Sequence, residues 1–160
     1  MATLPQLIEE DIQQLDAALH ELNVLADATV ALVIDKGGFL IAHQGDPGEM
    51  DLVTIAALAS GAFLANQTIA GLVNETNFNC TYQQGEQVGL FIMDIDEHCV
   101  LVVIFKAKTG VGVVKYYAAF AVQKIARQLL LAQERDPGKG FDLSELNMAD
   151  PQELFRKKAV

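Results

Sequence analysis

Between Leu52 and Val73 the chain carries no Asp, Glu, Lys or Arg, and only Thr54, Ser60, Asn66, Gln67 and Thr68 interrupt the apolar run. Projected at about 100° per residue, Ile55, Leu58, Ala59, Ala62, Ile69 and Val73 share one face, the stripe expected to pack on a core. The opposite face holds Val53, Ala57, Ser60, Gly61, Leu64, Thr68 and Gly71, where a surface helix would carry Lys and Glu. A helix that is apolar all round lies in a bilayer, wholly inside one chain, or between its own core and another chain. Its length suits a bilayer. Against that, Asn66 and Gln67 would lie among lipid tails, and no Lys, Arg, Trp or Tyr anchors either end. Small side chains let a second backbone approach closely, so the second face is expected to meet another chain. Complete burial within a monomer is the alternative.

The sequence on either side of this helix supplies a soluble layer to pack it on. Thr3-Leu-Pro-Gln6 reads as a helix start, with a hydroxyl cap, Pro in the first turn and Gln placed for a capping box. Leu4, Leu7, Ile8, Ile12, Leu15, Leu19, Leu22 and Leu25 then recur at helical spacing, with Glu9, Glu10, Asp16 and Glu21 mostly off the stripe as a solvated face. Thr29–Ile34, the turn Asp35-Lys-Gly-Gly38 and Phe39–His43 form a hairpin whose glycines supply positive φ. Asp51 is placed to cap the central helix. Three strands follow at Phe78–Gln83, Val88–Met93 and Cys99–Phe105. The last is apolar throughout, as a mid-sheet strand covered on both faces would be. Val114, Ala118, Ala121, Val122, Ile125, Leu129 and Ala132 mark a long third helix ending near Glu134.

The order α-β-β-α-β-β-β-α predicts an α+β sandwich: a five-stranded antiparallel sheet with helices on both faces. Residues 1–135 form the domain. Residues 136–160 form a flexible tail in which Asp150-Pro151, with Glu153 behind, starts a short helix edged by Leu154 and Phe155.

Charge and cysteine content narrow the function. A formal net charge of −10 argues against nucleic acid and anionic membranes as partners. Lys36 is the only Lys or Arg before Lys106. Cys80 and Cys99 fall in strands and no basic, apolar leader opens the chain, so reduced thiols in a cytoplasmic protein are expected. No G-x-x-x-x-G-K-[S/T] loop occurs, and Ser60, though followed by Gly61, has Leu58 two positions before it where the G-x-S-x-G nucleophile elbow needs glycine. His20, His43 and His98 are scattered over a helix and two strands, so neither a metal nor a cofactor is expected. What remains is recognition, not catalysis.

The strand ending in Asp35-Lys-Gly-Gly38, its return Phe39-Leu-Ile-Ala-His43, the small-residue helix at Leu58-Ala-Ser-Gly61, the segment Gln84-Gly-Glu-Gln-Val-Gly-Leu90 and the run Val100–Phe105 together resemble the Roadblock family. Within it they look most like the bacterial cell-polarity members that partner a Ras-like GTPase. The resemblance covers roughly residues 5–134 and carries no catalytic signature. It implies a homodimer whose second helices pair across a two-fold axis, continuing the layer of one subunit into the next. The paired helices would form a platform for a small GTPase, carried over onto Val53, Ala57, Ser60, Gly61, Leu64 and Thr68. It implies a non-enzymatic regulator that stimulates hydrolysis by its partner without an arginine finger. The alternative is a scaffold subunit of a larger Roadblock-containing assembly, with a small-molecule sensor a more distant possibility.

Overall fold

The structure, a computed structural model, describes residues 4–135 and the strand at 140–141. In chain order the elements are β1 (Leu4–Pro5), α1 (Glu9–Ala26), β2 (Ala28–Asp35), β3 (Leu40–Gly45), α2 (Leu52–Leu72), β4 (Cys80–Gln84), β5 (Val88–Asp94), β6 (Cys99–Lys106), a single 3₁₀ turn at Ala107–Thr109, α3 (Val111–Arg135) and β7 (Gly140–Phe141). The main sheet is antiparallel with strand order β3-β2-β6-β5-β4. This is the expected α+β sandwich, with a small β1–β7 pair added.

Alternation along the two central strands builds both layers at once. Val30, Leu32 and Ile34 of β2, with Val100, Val102 and Ile104 of β6, face α2. Ala31 and Val33, with Leu101, Val103 and Phe105, face α1 and α3. Every residue from Cys99 to Phe105 is buried, as an unbroken apolar strand between two helical layers requires. Gly89 of β5 is there for close packing: a Cβ at that position would stand 2.6 Å from the ring of the fully buried Phe105.

The N-terminus departs from expectation. Helix α1 begins at Glu9, not at Leu4, and its cap is Ile8. The carboxylate of Asp11 accepts from the Ile8 amide at 2.8 Å, doing the work assigned to Thr3 and Gln6. Leu4 and Pro5 are instead a strand, held by pairing to Phe141 and Gly140. Asp11 is also buried, receiving Arg135 at 2.9 and 3.0 Å and Gln128 at 2.7 Å. The hydrogen bond from Arg135 is the main cause that lowers its pKa from 3.8 to about 2. This contact ties the end of α3 to the start of α1 across a sequence separation of 124 residues. The short helix expected around 150–155 lies outside the described residues.

Candidate functional site

Helix α2 starts where Asp51 caps it: its carboxylate accepts the Thr54 amide at 3.2 Å and the Thr54 hydroxyl at 2.6 Å. Those bonds favour the ionised carboxylate and lower its pKa. At the far end the Gln67 side-chain amide donates to the Phe78 carbonyl at 2.8 Å, fixing the descent into β4. Between these ends the helix lies on the sheet through Leu52, Ala56, Ala59 and Phe63. Phe63 is the anchor, 3% exposed, and its burial stabilises the contact by about 1.5–3 kcal/mol.

The turn after β2 locks the rotation of α2. Gly38 has φ +99°, a conformation that L side chains rarely adopt, and a Cβ there would stand 3.2 Å from the Ala57 Cα. The turn therefore touches the helix backbone. Ser60 is buried beneath it, its hydroxyl donating to the Lys36 carbonyl at 2.5 Å. The Lys36 ammonium lies 5.3 Å from the centre of the Phe63 ring, donates to the Asp96 carbonyl at 2.6 Å and pairs with Asp94 at 3.0 Å. The lone early lysine is thus a structural pin between the β2–β3 turn, the β5–β6 turn and α2.

This seating corrects the expected core stripe. Leu58, Ile69 and Val73, assigned to the core from the helical projection, are exposed at 69%, 47% and 60%. The buried stripe is Leu52-Ala56-Ala59-Phe63-Ala70, rotated by roughly a quarter turn at about 100° per residue. With several apolar faces to choose from, summed hydrophobicity does not fix the rotation. Phe63, the only aromatic in the helix, is the signal that marks the core side.

Of the six positions singled out from the sequence, Val53, Ala57, Gly61, Leu64 and Thr68 lie exposed on one continuous side of α2, while Ser60 faces inward. Leu58, Ala65, Ile69 and Leu72 join the open side, which the sequence projection missed. Only 28% of an apolar window of the helix is buried, so the described residues do not enclose it as the alternative of complete burial within one chain expects. By length and composition α2 could cross a membrane, but one edge of it is committed to the sheet.

Two of the groups singled out earlier are enclosed by the fold. Cys99 is fully buried, and desolvation pushes its thiol pKa far up. His98 is buried, its backbone amide donating to the Asp96 carboxylate at 2.8 Å within the β5–β6 turn. Among the described residues no group of three or more His, Cys, Asp or Glu side chains is placed to hold a metal.

Known proteins share this arrangement. An MglB with a tetrameric arrangement superposes with a TM-score of 0.77 at 30% identity, covering 82% of this chain and 99% of that one. The gliding protein MglB of Thermus thermophilus gives 0.75 at 30% identity over 81% and 98% of the two chains. In sequence, the uncharacterised protein MJ1340 of Methanocaldococcus jannaschii is 32% identical over 111 residues, 69% of this chain and 96% of its own length. The Roadblock/LC7 domain model matches residues 15–105, a span that runs from the middle of α1 through β6 and contains the whole of α2. With its small-residue helix on one face of the sheet and α1 and α3 on the other, this chain belongs to the Roadblock/LC7 domain family.

Proposed function

We propose that the protein is a homodimeric regulator of a small Ras-like GTPase of the MglA kind, working through the open side of α2. The observation that carries this reading is a long, uncharged, half-uncovered helix in a chain whose fold matches MglB. The exposed apolar arc runs from Val53 and Leu64 to Leu58 and Ile69, roughly 160° at about 100° per residue. That is wide enough for one flank to pair with a second copy while the crest meets a GTPase. Pairing about a two-fold axis uses the same patch twice and removes an association hazard. Val53, Ala57, Gly61, Leu64 and Thr68 are the contact residues in this scheme. Ser60 supports them from below by fixing the turn that holds the helix.

Stimulation of hydrolysis would come without a finger residue. An arginine finger contributes on the order of 10³–10⁵ in rate by neutralising charge on the transferred phosphoryl group. Of the three arginines, Arg135 is engaged with Asp11, Arg127 lies on α3, across the sheet from α2, and Arg156 lies outside the described residues. A small apolar platform acts instead by selecting the switch-loop arrangement in which the GTPase's own residues are aligned.

The test is single-turnover hydrolysis by a Ras-like GTPase with and without the protein, alongside light scattering. The expected results are acceleration and a mass about twice 17.3 kDa. Binding without acceleration would favour the scaffold reading, and a clean monomer would remove the dimer from it.

A further inference from the structure

Helix α2 has two apolar faces that it could lay on the sheet, and burial alone does not choose between them. The seated face buries Leu52, Ala56, Ala59, Phe63 and Ala70. Roughly a quarter turn away, at about 100° per residue, lie Ile55, Leu58, Ala62, Ile69 and Val73. The seated face thus offers two large side chains, Leu52 and Phe63, and the other offers Ile55, Leu58, Ile69 and Val73. Leu58, Ile69 and Val73 stay exposed all the same. The bed beneath, built from Val30, Leu32, Ile34, Val100, Val102 and Ile104, is aliphatic and accepts either face.

What opposes the turn is polar. The Ser60 hydroxyl donates to the Lys36 carbonyl at 2.5 Å, and the Gln67 amide donates to the Phe78 carbonyl at 2.8 Å. The Lys36 ammonium lies 5.3 Å from the centre of the Phe63 ring. It is aimed there by the Asp96 carbonyl at 2.6 Å and the Asp94 carboxylate at 3.0 Å, both supplied by the β5–β6 turn. Attraction between a cation and a ring face strengthens as water is excluded, and the Lys36 side chain is only 25% exposed. Because α2 has no Asp, Glu, Lys or Arg of its own, this ammonium is the charge set against its middle. The Lys36 amide donates to the His98 carbonyl at 2.8 Å, so the root of the side chain stays with the sheet. Turning the helix carries Phe63 away from the charge.

We propose that α2 has two seats on the sheet and that the Lys36 ammonium selects the observed one. With the charge in place, Phe63 anchors the helix and Leu58, Leu64 and Ile69 face outward. With the charge removed, the helix turns onto its Ile55–Leu58–Ile69 face, Ala56 leaves the sheet, and the Ser60 hydroxyl gives up the Lys36 carbonyl. Packed layers shift between discrete arrangements instead of deforming smoothly, so one contact can decide between two nearly balanced seats. Lys36 is then a positioning residue for the open side of α2. The consequence for a GTPase rests on the proposed use of α2 as a platform; the choice of seat does not.

Alkylation of reporter cysteines in the full-length protein reads the seat without any partner. In a Cys80→Ser background, Cys99 reports on the opposite layer, where it is buried toward α1 and α3. Ala56→Cys, against the sheet, should be protected while Lys36 is present. Lys36→Met keeps the aliphatic stem and removes the charge. It should speed labelling of Ala56→Cys several-fold, leave Cys99 protected, and make Leu58→Cys no faster. Lys36→Arg, which keeps a cation for Asp94 and the Phe63 ring, should keep Ala56→Cys protected. Should Lys36→Met open Cys99, Asp94→Asn replaces it as the milder variant with the same expectations. Three results overturn the two seats: Ala56→Cys unmoved by loss of the charge, Leu58→Cys quickened alongside it as in a dislodged helix, or Cys99 opened in both variants as in a general loosening. Equal labelling in Lys36→Met and Lys36→Arg overturns the role of the charge. Stimulated GTP hydrolysis should fall with Lys36→Met and hold with Lys36→Arg; a parent protein that stimulates no GTPase removes the platform reading and leaves the labelling result standing.

Discussion

Replacing Asp11 by Ala tests the contact that closes the domain at the ends of α1 and α3. The substitution removes the capping bond from the Ile8 amide, two bonds from Arg135 and one from Gln128. Loss of a helix cap costs about 1 kcal/mol. Loss of the Arg135 pair adds to this, though less than a fully buried pair would, because the guanidinium is 40% exposed and water replaces part of what it loses. The cap alone is worth roughly 2–4 °C in Tm for a domain of this size, and the pair raises the expected shift above that. Thermal unfolding followed by circular dichroism at pH 7 reads it directly. The pH dependence is a sharper check. The pKa of Asp11 in the folded protein is about 2, against 3.8 unperturbed, so the folded state binds fewer protons in that interval. Its ionic contribution is therefore complete above about pH 4 and fades as pH falls toward 2. The Tm difference between parent and variant should shrink over that window. A difference under about 2 °C at pH 7, or one independent of pH, would refute this account of the contact. Arg135→Ala should also lower Tm, yet leave stimulated GTP hydrolysis within a few-fold of the parent; a thousandfold loss would show that it is a finger after all.

Leu64→Arg should convert the proposed dimer to monomer and abolish GTPase stimulation with little change in monomer folding, since Leu64 is 51% exposed; retention of both sinks the α2 platform. The same change at Ser60 should instead reduce stability, because its side chain is buried under the β2–β3 turn. Gly89→Ala should cost about 1–3 kcal/mol by pushing the buried Phe105 ring, read from urea unfolding midpoints. Cys99 should resist alkylation at pH 8 in the native protein and react once unfolded, its burial holding the thiol protonated; labelling at the rate of a free thiol in the native state would contradict that.

The sequence by itself determined the layers. Period-two alternation is absent from Cys99–Phe105, which marks a strand covered on both sides, and helical spacing in α1 and α3 names the residues that cover one of them. The hairpin turn, the Asp51 cap and the small-residue character of α2 were equally legible, because each depends on chemistry within a few residues. Tertiary structure decided what depends on distant partners. Helix α1 starts at Glu9 and not at Leu4 because Leu4 and Pro5 pair with Phe141 and Gly140, more than a hundred positions away. The β1–β7 pairing was invisible for the same reason, since a two-residue strand has no periodicity of its own. The rotation of α2 is likewise set by tertiary contacts. A helix with apolar residues on every side presents nearly equal choices, and the close approach of Gly38 with the Ser60–Lys36 bond selects one of them. That selection buries Phe63 and leaves Leu58, Leu64 and Leu72 facing outward, so a local sequence pattern named the helix while a contact made across the fold chose its open side.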